Sequence, residues 1–461
     1  MSDRKKLVLI GAGSTVFTQR LVADIILSGE IDQWELGLVD IDPVTLDAVD
    51  RLVRKMLALK NVTFPITSTV NRRDVLPGAD FVVTTIAVGG RPGWDQDVQV
   101  PRKHGIFQPV GDTMMPGGIS RAMRMIPQMI AIANDVADLC PDAYFLNYSN
   151  PMTAVCRAIR KHTGVPVIGL CHGVHYVEGV IARFLGVEED SMQSYGYGLN
   201  HLTLLTHITA DGKDATPLMR AKLDEQRGSF AKEIREKTEW PNGITGRPPR
   251  YSDDPLSWDI FDRYGVFPVA LDRHITEFFP ERFPGGKYYG GTLGVDRFSI
   301  DGRIALGDTW FDEMMAVAHS SDPLPASYFE NVPGESEQLM QMMQSLLNDK
   351  RHIFSVNMPN RGTVPGLPYD AVLEMPAAAG AAGFTPLQSA ALPPALTAKL
   401  LSKIAAIEVT VDAALTGSFD LFVEALLTDG SVSDPDKAAS LATDLIAAHR
   451  QHLPQFAGAA S

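Results

Sequence analysis

The chain has 461 residues, 45% of them hydrophobic and 21% charged, a composition typical of a globular protein with room for two domains. Its formal net charge of −14 argues against nucleic acids and anionic membranes as partners. No run approaches the 18 uninterrupted apolar residues of a membrane-spanning helix. Three cysteines, Cys140, Cys156 and Cys171, are an odd number and make no disulfide framework, so we expect a reducing, cytoplasmic setting.

The first 205 or so residues alternate short apolar runs with segments of helical spacing. Strands are predicted at KLVLIGAGS, ELGLVDID, DFVVTTIAVGG, DAYFLNYSNP and VPVIGLCHG. Helices are predicted at LVADIILSG, at residues 118–139 and at VHYVEGVIARFLG, which should end at Gly186. This alternation predicts an α/β fold with a Rossmann-like, doubly wound parallel sheet.

The alternation is lost after the segment SYGYGLNHLTLLTHITADG. Residues 212–350 are polar and carry many glycines and prolines, and helical spacing appears at 337–350, 394–416 and 436–450. The alanine-rich EMPAAAGAAGFTP is expected to be a connector or a strand-loop. We therefore predict a Rossmann-like domain at 1–195 and a second, mostly helical α+β domain at 196–461.

A glycine-containing turn follows the first predicted strand. Gly11, Gly13 and Ser14 open the next helix, where glycines permit a tight turn and close approach of the backbone to a pyrophosphate. Val16 replaces the third glycine of the full fingerprint. Asp40 ends the second strand, where an acid accepts from the adenine ribose hydroxyls of NAD and repels the extra phosphate of NADP. The other interpretation is that Asp40 only begins a turn.

Polar residues also follow the other strands of the predicted sheet: Thr84, Thr85, Asn147, Asn150, Cys171 and His172. The carboxyl ends of parallel strands meet at one edge, which is where open α/β sheets bind ligands. The Cys171–His172 pair could be a redox site, a thiol nucleophile, a metal site or two structural residues. No CxxC supports a redox pair, whereas thiolate and imidazole suit Zn, Fe or Mn. His201, predicted in a strand that enters the second domain, could join them.

Several stretches, in order and over nearly the whole chain, resemble glycoside hydrolase family 4. They are VGDTMMPGGISRAMRMIPQMIAIANDVADLCPDAYFLNYSNPMTAVCRAI, GLCHG, GLNH, NMPNRGTVPGLPYDAVLEMP and LTGSFDLFVEALLTD. The resemblance implies NAD and a divalent metal, usually Mn, in place of the usual pair of catalytic carboxylates. In the implied mechanism, NAD⁺ takes a hydride from C3 of the sugar and a base removes the C2 proton. The aglycone then leaves from C1, water adds, and the hydride returns.

Site residues follow from the same resemblance. It implies Cys171 and His201 as metal ligands and His172 as a general acid. Asn150 is expected to contact the sugar hydroxyls and Asn147 the cofactor or the sugar. Thr85, at the end of its strand, is expected to contact the cofactor.

Proton transfer has further candidates. Asp112 of VGDT lies in the loop that the resemblance places near C1 and C2. Several family members use a tyrosine as the base, but the matching segment YGVFPVALDRHITEF has none at its centre. We therefore expect Asp272 to be the base, with Tyr264 as the second candidate.

Short motifs indicate which class of glycoside the substrate belongs to. CHGV is similar to members that act on unphosphorylated α-glycosides, and DRH and VNMPN are similar to the α-galacturonidases. A uronate carboxylate needs a cation, for which Arg273, His274 and Arg91 are the candidates. We therefore expect an α-galacturonidase or related α-uronidase that acts on short oligosaccharides. A neutral α-galactosidase or α-glucosidase is the alternative.

Two other classes share part of the pattern. A lactate- or malate-type dehydrogenase shares the glycine turn and the sheet, but its GEHGDS-like motif is absent from this sequence. A non-catalytic NAD-sensing protein would not need Cys171, His172 and His201 together. The resemblance also implies a homodimer or homotetramer with a small-molecule glycoside or oligosaccharide substrate. From the acidic charge and the absence of a long apolar run, we expect no nucleic acid and no membrane as partners.

Overall fold

The computed structural model describes residues 4–15, 17–29, 31–228, 250, 252–332 and 338–457. Its amino-terminal half alternates strands and helices as predicted. The strands are β1 (Lys5–Ile10), β2 (Trp34–Val39), β3 (Ile66–Thr69), β4 (Phe81–Thr84), β5 (Tyr144–Asn147) and β6 (Ile168–Leu170). The helices are α1 (Phe17–Leu27), α2 (Pro43–Lys60), α3 (Gly90–Lys103), α4 (Met115–Leu139), α5 (Met152–His162) and α6 (Gly173–Leu185).

These six strands are parallel and lie in the order β3-β2-β1-β4-β5-β6, the order of a dinucleotide-binding sheet. Side chains of β1 alternate between two cores. Val8 and Ile10 join the cluster that includes α4 and α5, whereas Leu7 and Leu9 join the one that includes α1 and α2. The predicted doubly wound sheet is therefore confirmed, with helices on both faces.

The same sheet continues into the second half of the chain. The added strands are β7 (Met192–Leu199), β8 (Leu202–Ala210), β9 (Lys213–Asp214), β10 (Phe267–Pro268), β13 (His352–Pro359), β14 (Val372–Gly380) and β15 (Gly383–Pro386). Beyond β6 the order is β13-β14-β7-β8-β10, and these pairs are antiparallel. The domain boundary expected at residue 195 falls inside β7, within one continuous sheet. A separate two-stranded sheet pairs β11 (Lys287–Tyr288) with β12 (Gly291–Thr292).

The second half is otherwise mostly helical, as predicted. Its helices are α7 (Thr216–Arg227), α8 (Pro255–Tyr264), α9 (Leu271–Ile275), α10 (Ile300–His319), α11 (Tyr328–Asn331), α12 (Leu339–Leu347), α13 (Pro394–Thr416), α14 (Phe419–Asp429) and α15 (Pro435–Ala448). Residues of α13 and α14, including Leu400 and Phe422, share a buried cluster with Ile126 of α4. The carboxyl-terminal helices therefore pack directly on the Rossmann-like half. None of the described helices is long and apolar enough to cross a membrane.

Candidate functional site

The turn between β1 and α1 has the geometry of a dinucleotide-binding turn. Gly11 has a φ of +94°, and a Cβ there would lie 2.8 Å from the carbonyl carbon of Thr85. The Thr85 hydroxyl donates to the Gly11 carbonyl oxygen at 2.8 Å. A larger residue at position 11 would therefore push the turn away from the end of β4. Val16 lies outside the described residues.

Asp40 lies directly against this turn. Its carboxylate accepts from the backbone N–H groups of Gly13 at 2.7 Å and Asp42 at 3.0 Å. A Cβ on Gly13 would lie 2.7 Å from the same carboxylate oxygen, so glycine is required for the contact. An ionised carboxylate has about four acceptor positions, and two remain for ribose hydroxyls. Ser14 closes the turn with its N–H on the Gly11 carbonyl at 3.2 Å.

The loop after β5 is held by Asn147, which is fully buried. Its side-chain oxygen accepts from the Thr84 hydroxyl at 2.9 Å and the Ser149 N–H at 3.0 Å. This arrangement presents Asn150, whose amide donates to Asp112 at 3.3 Å. The edge predicted from the sequence therefore brings the β4, β5 and α3–α4 loops together.

Three potential metal ligands meet beside this edge. Asp112, His201 and His274 each offer one ligand atom, and these atoms all lie within 4.8 Å of one another. Two imidazoles and a carboxylate suit a first-row divalent metal ion. The Nδ1 atom of His274 is buried and has no hydrogen-bond partner among the described residues, as expected for a nitrogen that faces a ligand site.

The charges of the cluster suit metal binding. Burial opposes ionisation of Asp112, but the nearby His274, His201 and Arg121 lower the pKa of its carboxyl to about 2. Burial lowers the pKa of His201 below its ordinary value and that of His274 well below it, where a further contribution comes from His201 itself. An ionised carboxylate and two neutral imidazoles are the protonation states that bind metal.

Backbone geometry positions the two imidazoles. His201 lies in the tight turn between β7 and β8, not within a strand as predicted, and has a φ of +67°. The turn is held by buried Glu374 of β14, which accepts from Asn200 at 3.1 Å and Thr203 at 2.8 Å. His274 lies on the short helix α9. Left-handed backbone at non-glycine residues often accompanies functional sites.

Cys171 and His172 lie at the carboxyl end of β6. Both line a cavity of about 810 Å³, together with Arg20, Tyr195 and Arg351 among others. His172 is exposed at the start of α6, and its charge acts on both His201 and His274. The described metal cluster does not include Cys171, so its role as a ligand stays a prediction.

Asp272 is not directed into the cluster. It is fully buried, and its carboxylate accepts four hydrogen bonds from the start of α8 and from β11. The donors are the Leu256 N–H, the Ser257 N–H and the Ser257 hydroxyl, all at 2.7 Å, and the Tyr288 hydroxyl at 2.6 Å. Tyr264, the second candidate for the base, is the last residue of α8 and packs against the large core.

The two arginines proposed for a substrate carboxylate have different surroundings. Arg91 pairs with Asp308 of α10 and stacks on Phe311. Arg273 has no hydrogen bond or ion pair among the described residues. Burial and the charge of Arg303 lower its pKa, while Asp112 acts in the opposite sense. Arg273 is therefore a mostly buried cation beside the metal cluster that is available to an anionic ligand.

Sequence reasoning missed two residues that support the site. The Thr113 hydroxyl lies 2.6 Å from His201 Nδ1 and 2.8 Å from the Asp112 carboxylate. Glu277, in the turn after α9, accepts from three backbone N–H groups of the loop that carries Asp112 and Thr113. Neither residue type is diagnostic on its own, and the contacts join segments far apart in the sequence.

Comparison with known proteins identifies the family. Residues 6–187 match the family 4 glycosyl hydrolases, and residues 196–432 match the carboxyl-terminal domain of the same family. The chain belongs to glycosyl hydrolase family 4. The enzyme is therefore a glycosidase, and the alternatives of a lactate- or malate-type dehydrogenase and of an NAD sensor are set aside. The two matched segments lie on either side of the expected boundary at residue 195.

Relatives of this family 4 enzyme carry three different names. The α-glucosidase of Erwinia rhapontici is 29% identical and spans 97% of this chain and 98% of its own. The α-galactosidase of Rhizobium meliloti is 27% identical and spans 98% of this chain and 90% of its own. The α-galacturonidase of Thermoanaerobacterium saccharolyticum is 28% identical and spans 92% of this chain and 91% of its own.

A solved structure confirms the fold of this glycosidase. The 6-phospho-α-glucosidase from gut microorganisms, in complex with NAD and Mn²⁺, superimposes with a TM-score of 0.80 at 19% identity and covers 98% of this chain and 99% of its own.

Proposed function

We propose that this glycosidase is an NAD- and Mn²⁺-dependent α-glycosidase that prefers α-galacturonides or related α-uronides. The three relatives named above all act on α-glycosides by name. The observation that carries the uronide preference is Arg273, a mostly buried guanidinium without a described partner, on the same short helix as His274. A neutral sugar would leave this cation unpaired, whereas a carboxylate would satisfy it.

The cofactor and the metal have fitting sites. The turn at Gly11, Gly13 and Ser14 would hold the pyrophosphate of NAD and Asp40 its adenine ribose, and bound NAD would supply a reversible hydride acceptor for C3. Asp112, His201 and His274 would hold Mn²⁺, with Cys171 as a further predicted ligand, and the metal would supply Lewis acidity towards the sugar oxygens.

The remaining polar residues have separate tasks. Asn150, held against Asp112, orients a sugar hydroxyl. His172 is exposed in the cavity and close enough to the cluster to influence both imidazoles, so it can deliver a proton to the leaving oxygen. Asp112 is a weak base because its pKa is about 2, which favours metal binding over proton transfer. Arg91 is engaged by Asp308 and contributes less than Arg273 to substrate binding.

The test compares kcat/KM for matched aryl α-galacturonide, α-galactoside and α-glucoside with NAD⁺, Mn²⁺ and a thiol reductant. The galacturonide should be the best substrate of the wild type. Arg273→Ala should lower its kcat/KM about 10- to 150-fold, equivalent to about 1.5–3 kcal/mol, with little change for the neutral sugars. Arg91→Ala is the matched control and should leave the preference in place.

Three kinds of result would contradict separate parts of the proposal. A neutral sugar that is preferred by the wild type would make the enzyme an α-galactosidase or α-glucosidase. Full activity after a chelator, or without NAD⁺, would remove the cofactor-dependent mechanism. If the galacturonide is preferred but Arg273→Ala changes nothing, a different cation binds the carboxylate.

We also propose a cytoplasmic homodimer or homotetramer. The cytoplasmic location is supported by the three cysteines, none of which forms a disulfide in the described part of the chain. The assembly is supported by partly exposed apolar side chains on α10, namely Leu306, Trp310 and Val317. Light scattering of the purified chain would measure the assembly, and a monomer would contradict it.

A further inference from the structure

Thr113 bridges two members of the metal cluster. Its hydroxyl oxygen lies 2.6 Å from Nδ1 of His201 and 2.8 Å from an Asp112 carboxylate oxygen. Both distances are those of good hydrogen bonds. Thr113 is adjacent to Asp112 in the chain, whereas His201 comes from the β7–β8 turn. The bridge therefore ties together ligands from two separate parts of the sheet edge.

Counting protons fixes the direction of both bonds. The threonine hydroxyl has one hydrogen to donate. A carboxylate that binds a metal is deprotonated and can only accept, so the hydrogen points to Asp112. The contact to His201 then requires Nδ1 to carry the other hydrogen and donate it to Thr113. The opposite tautomer would place two acceptors, the Thr113 oxygen and His201 Nδ1, against each other at 2.6 Å. Nε2 of His201 is thus left with its lone pair free.

The loop that carries Thr113 is held in place by hydrogen bonds to Glu277. Glu277 is fully buried, and its carboxylate accepts from the N–H groups of Val110 at 3.2 Å, of Gly111, and of Met114 at 3.4 Å. The threonine therefore lies on a backbone whose position is determined by three hydrogen bonds, so its hydroxyl is presented to His201 in a fixed orientation.

We propose that Thr113 is a positioning residue that sets the tautomer of His201 and links it to Asp112, so that Nε2 faces the metal. This inference rests on the proposed function, because it takes the cluster to be a metal site. Partners that orient a ligating histidine typically affect metal affinity by about 10- to 100-fold. Among the described residues, the Thr113 hydroxyl makes its hydrogen bonds to Asp112 and His201, so it acts through these two residues.

The experiment titrates the metal-free full chain with Mn²⁺ by calorimetry. Thr113→Val is isosteric and lacks the hydroxyl, so it should weaken Mn²⁺ binding about 10- to 100-fold. Thr113→Ala, a second hydroxyl-free variant, should do the same, and Thr113→Ser should bind as the wild type does. The thermal midpoint of each metal-free variant and its affinity for NAD⁺ are measured alongside. Valine preserves the packing of threonine but lacks the hydroxyl, whereas serine keeps the hydroxyl. Normal binding by the serine variant would therefore show that the hydroxyl, and not the packing, is required.

The outcomes separate the two proposals. Wild-type protein that binds Mn²⁺ no better than an Asp112→Asn variant would overturn the metal site and, with it, the role of Thr113. A wild type that binds Mn²⁺ while the valine and alanine variants bind equally well would overturn only the role of Thr113. Serine that fails to rescue would also overturn it, because the hydroxyl would then not be the group that matters.

Discussion

Asp272 illustrates that an aspartate near a candidate site can be either a catalytic base or a structural helix cap. A carboxylate in a DRH triplet near the site is a reasonable candidate for a base, but its surroundings are those of a helix cap. Four donors saturate its oxygens, and two of them are the first backbone N–H groups of α8, which have no partner within their own helix. Burial raises its pKa, although these hydrogen bonds oppose the effect. We therefore infer that Asp272 stabilises the fold beneath His274 rather than removing a proton.

The variant Asp272→Asn tests this inference. It should lower the free energy of unfolding by about 1–3 kcal/mol, because an amide cannot accept all four hydrogen bonds. Activity measured well below the unfolding temperature should fall less than the 100- to 10,000-fold or so that the loss of a general base causes. Tyr264→Phe provides the comparison at the other candidate. A loss of activity in that larger range, in protein that is still folded, would restore Asp272 as the base.

At the scale of elements, the sequence predicts what local signals encode. The six parallel strands, the turn at Gly11 and the end of α6 at Gly186 depend on apolar periodicity and on glycine at left-handed positions. Strand β14 is harder to predict from the sequence, because alanines such as Ala377–Ala379 have a low intrinsic preference for strands. These alanines form an interior strand because β13 and β15 pair on either side of them, and because Ala377 and Ala379 share a buried cluster with Leu346 of α12.

The site was predictable only in part for a related reason. Residues at strand ends share an edge by topology, which is why the sequence alone places Asn147, Asn150 and His172 at one edge of the sheet. The cluster itself joins Asp112, His201 and His274 from a loop, a hairpin turn and a short helix. No periodicity relates those positions, so only the fold brings them together. From the sequence, His274 is predicted to bind a substrate carboxylate, not to lie in a cluster of potential metal ligands.

The loop that carries Asp112 should show a distinctive pH dependence through Glu277. Burial, with a smaller contribution from the charge of Asp112, raises the pKa of Glu277 from an ordinary 4.5 to about 8. Between these values the folded protein retains a proton that the unfolded chain has released. Stability should therefore fall as the pH rises from about 4.5 to about 8, by up to about 1.4 kcal/mol per pH unit, and then level off.

Thermal midpoints measured across this range for the wild type and Glu277→Gln provide the test. Glutamine keeps one carbonyl acceptor for Val110 and Gly111 but cannot ionise, so the wild-type curve should fall relative to the variant's as the pH rises. Parallel curves for the two proteins would show that Glu277 does not titrate in this window, or that its pKa is not raised.

At the scale of the whole molecule, the carboxyl-terminal helices extend to the site. Lys403 of α13 donates to the backbone oxygen of Asp429 at 2.8 Å and to its carboxylate at 2.7 Å. The pair is almost completely buried. The same carboxylate oxygen accepts from the N–H of Met115, the first residue of α4, at 3.4 Å. Helix α14, to which α13 is tied by this pair, therefore contacts the segment that directly follows Asp112 and Thr113. The second half of the chain thus helps to hold the loop that carries these two residues.

Breaking this buried pair between α13 and α14 should have a much larger effect on stability than breaking the partly exposed pairs between α5 and α13. Lys403→Met leaves the Asp429 carboxylate buried without its cation and should cost about 3–5 kcal/mol of stability. Lys161→Met removes two partly exposed pairs with α13, to Asp412 at 2.7 Å and to Glu408 at 3.3 Å, and should cost no more than about 1 kcal/mol. The double variant Lys403→Met/Asp429→Leu should recover most of the loss, because no uncompensated charge remains. Denaturant unfolding of the three variants and of the wild type measures these differences in the free energy of unfolding. A double variant as unstable as Lys403→Met alone would mean that the loss comes from packing at α13 rather than from an unpaired carboxylate.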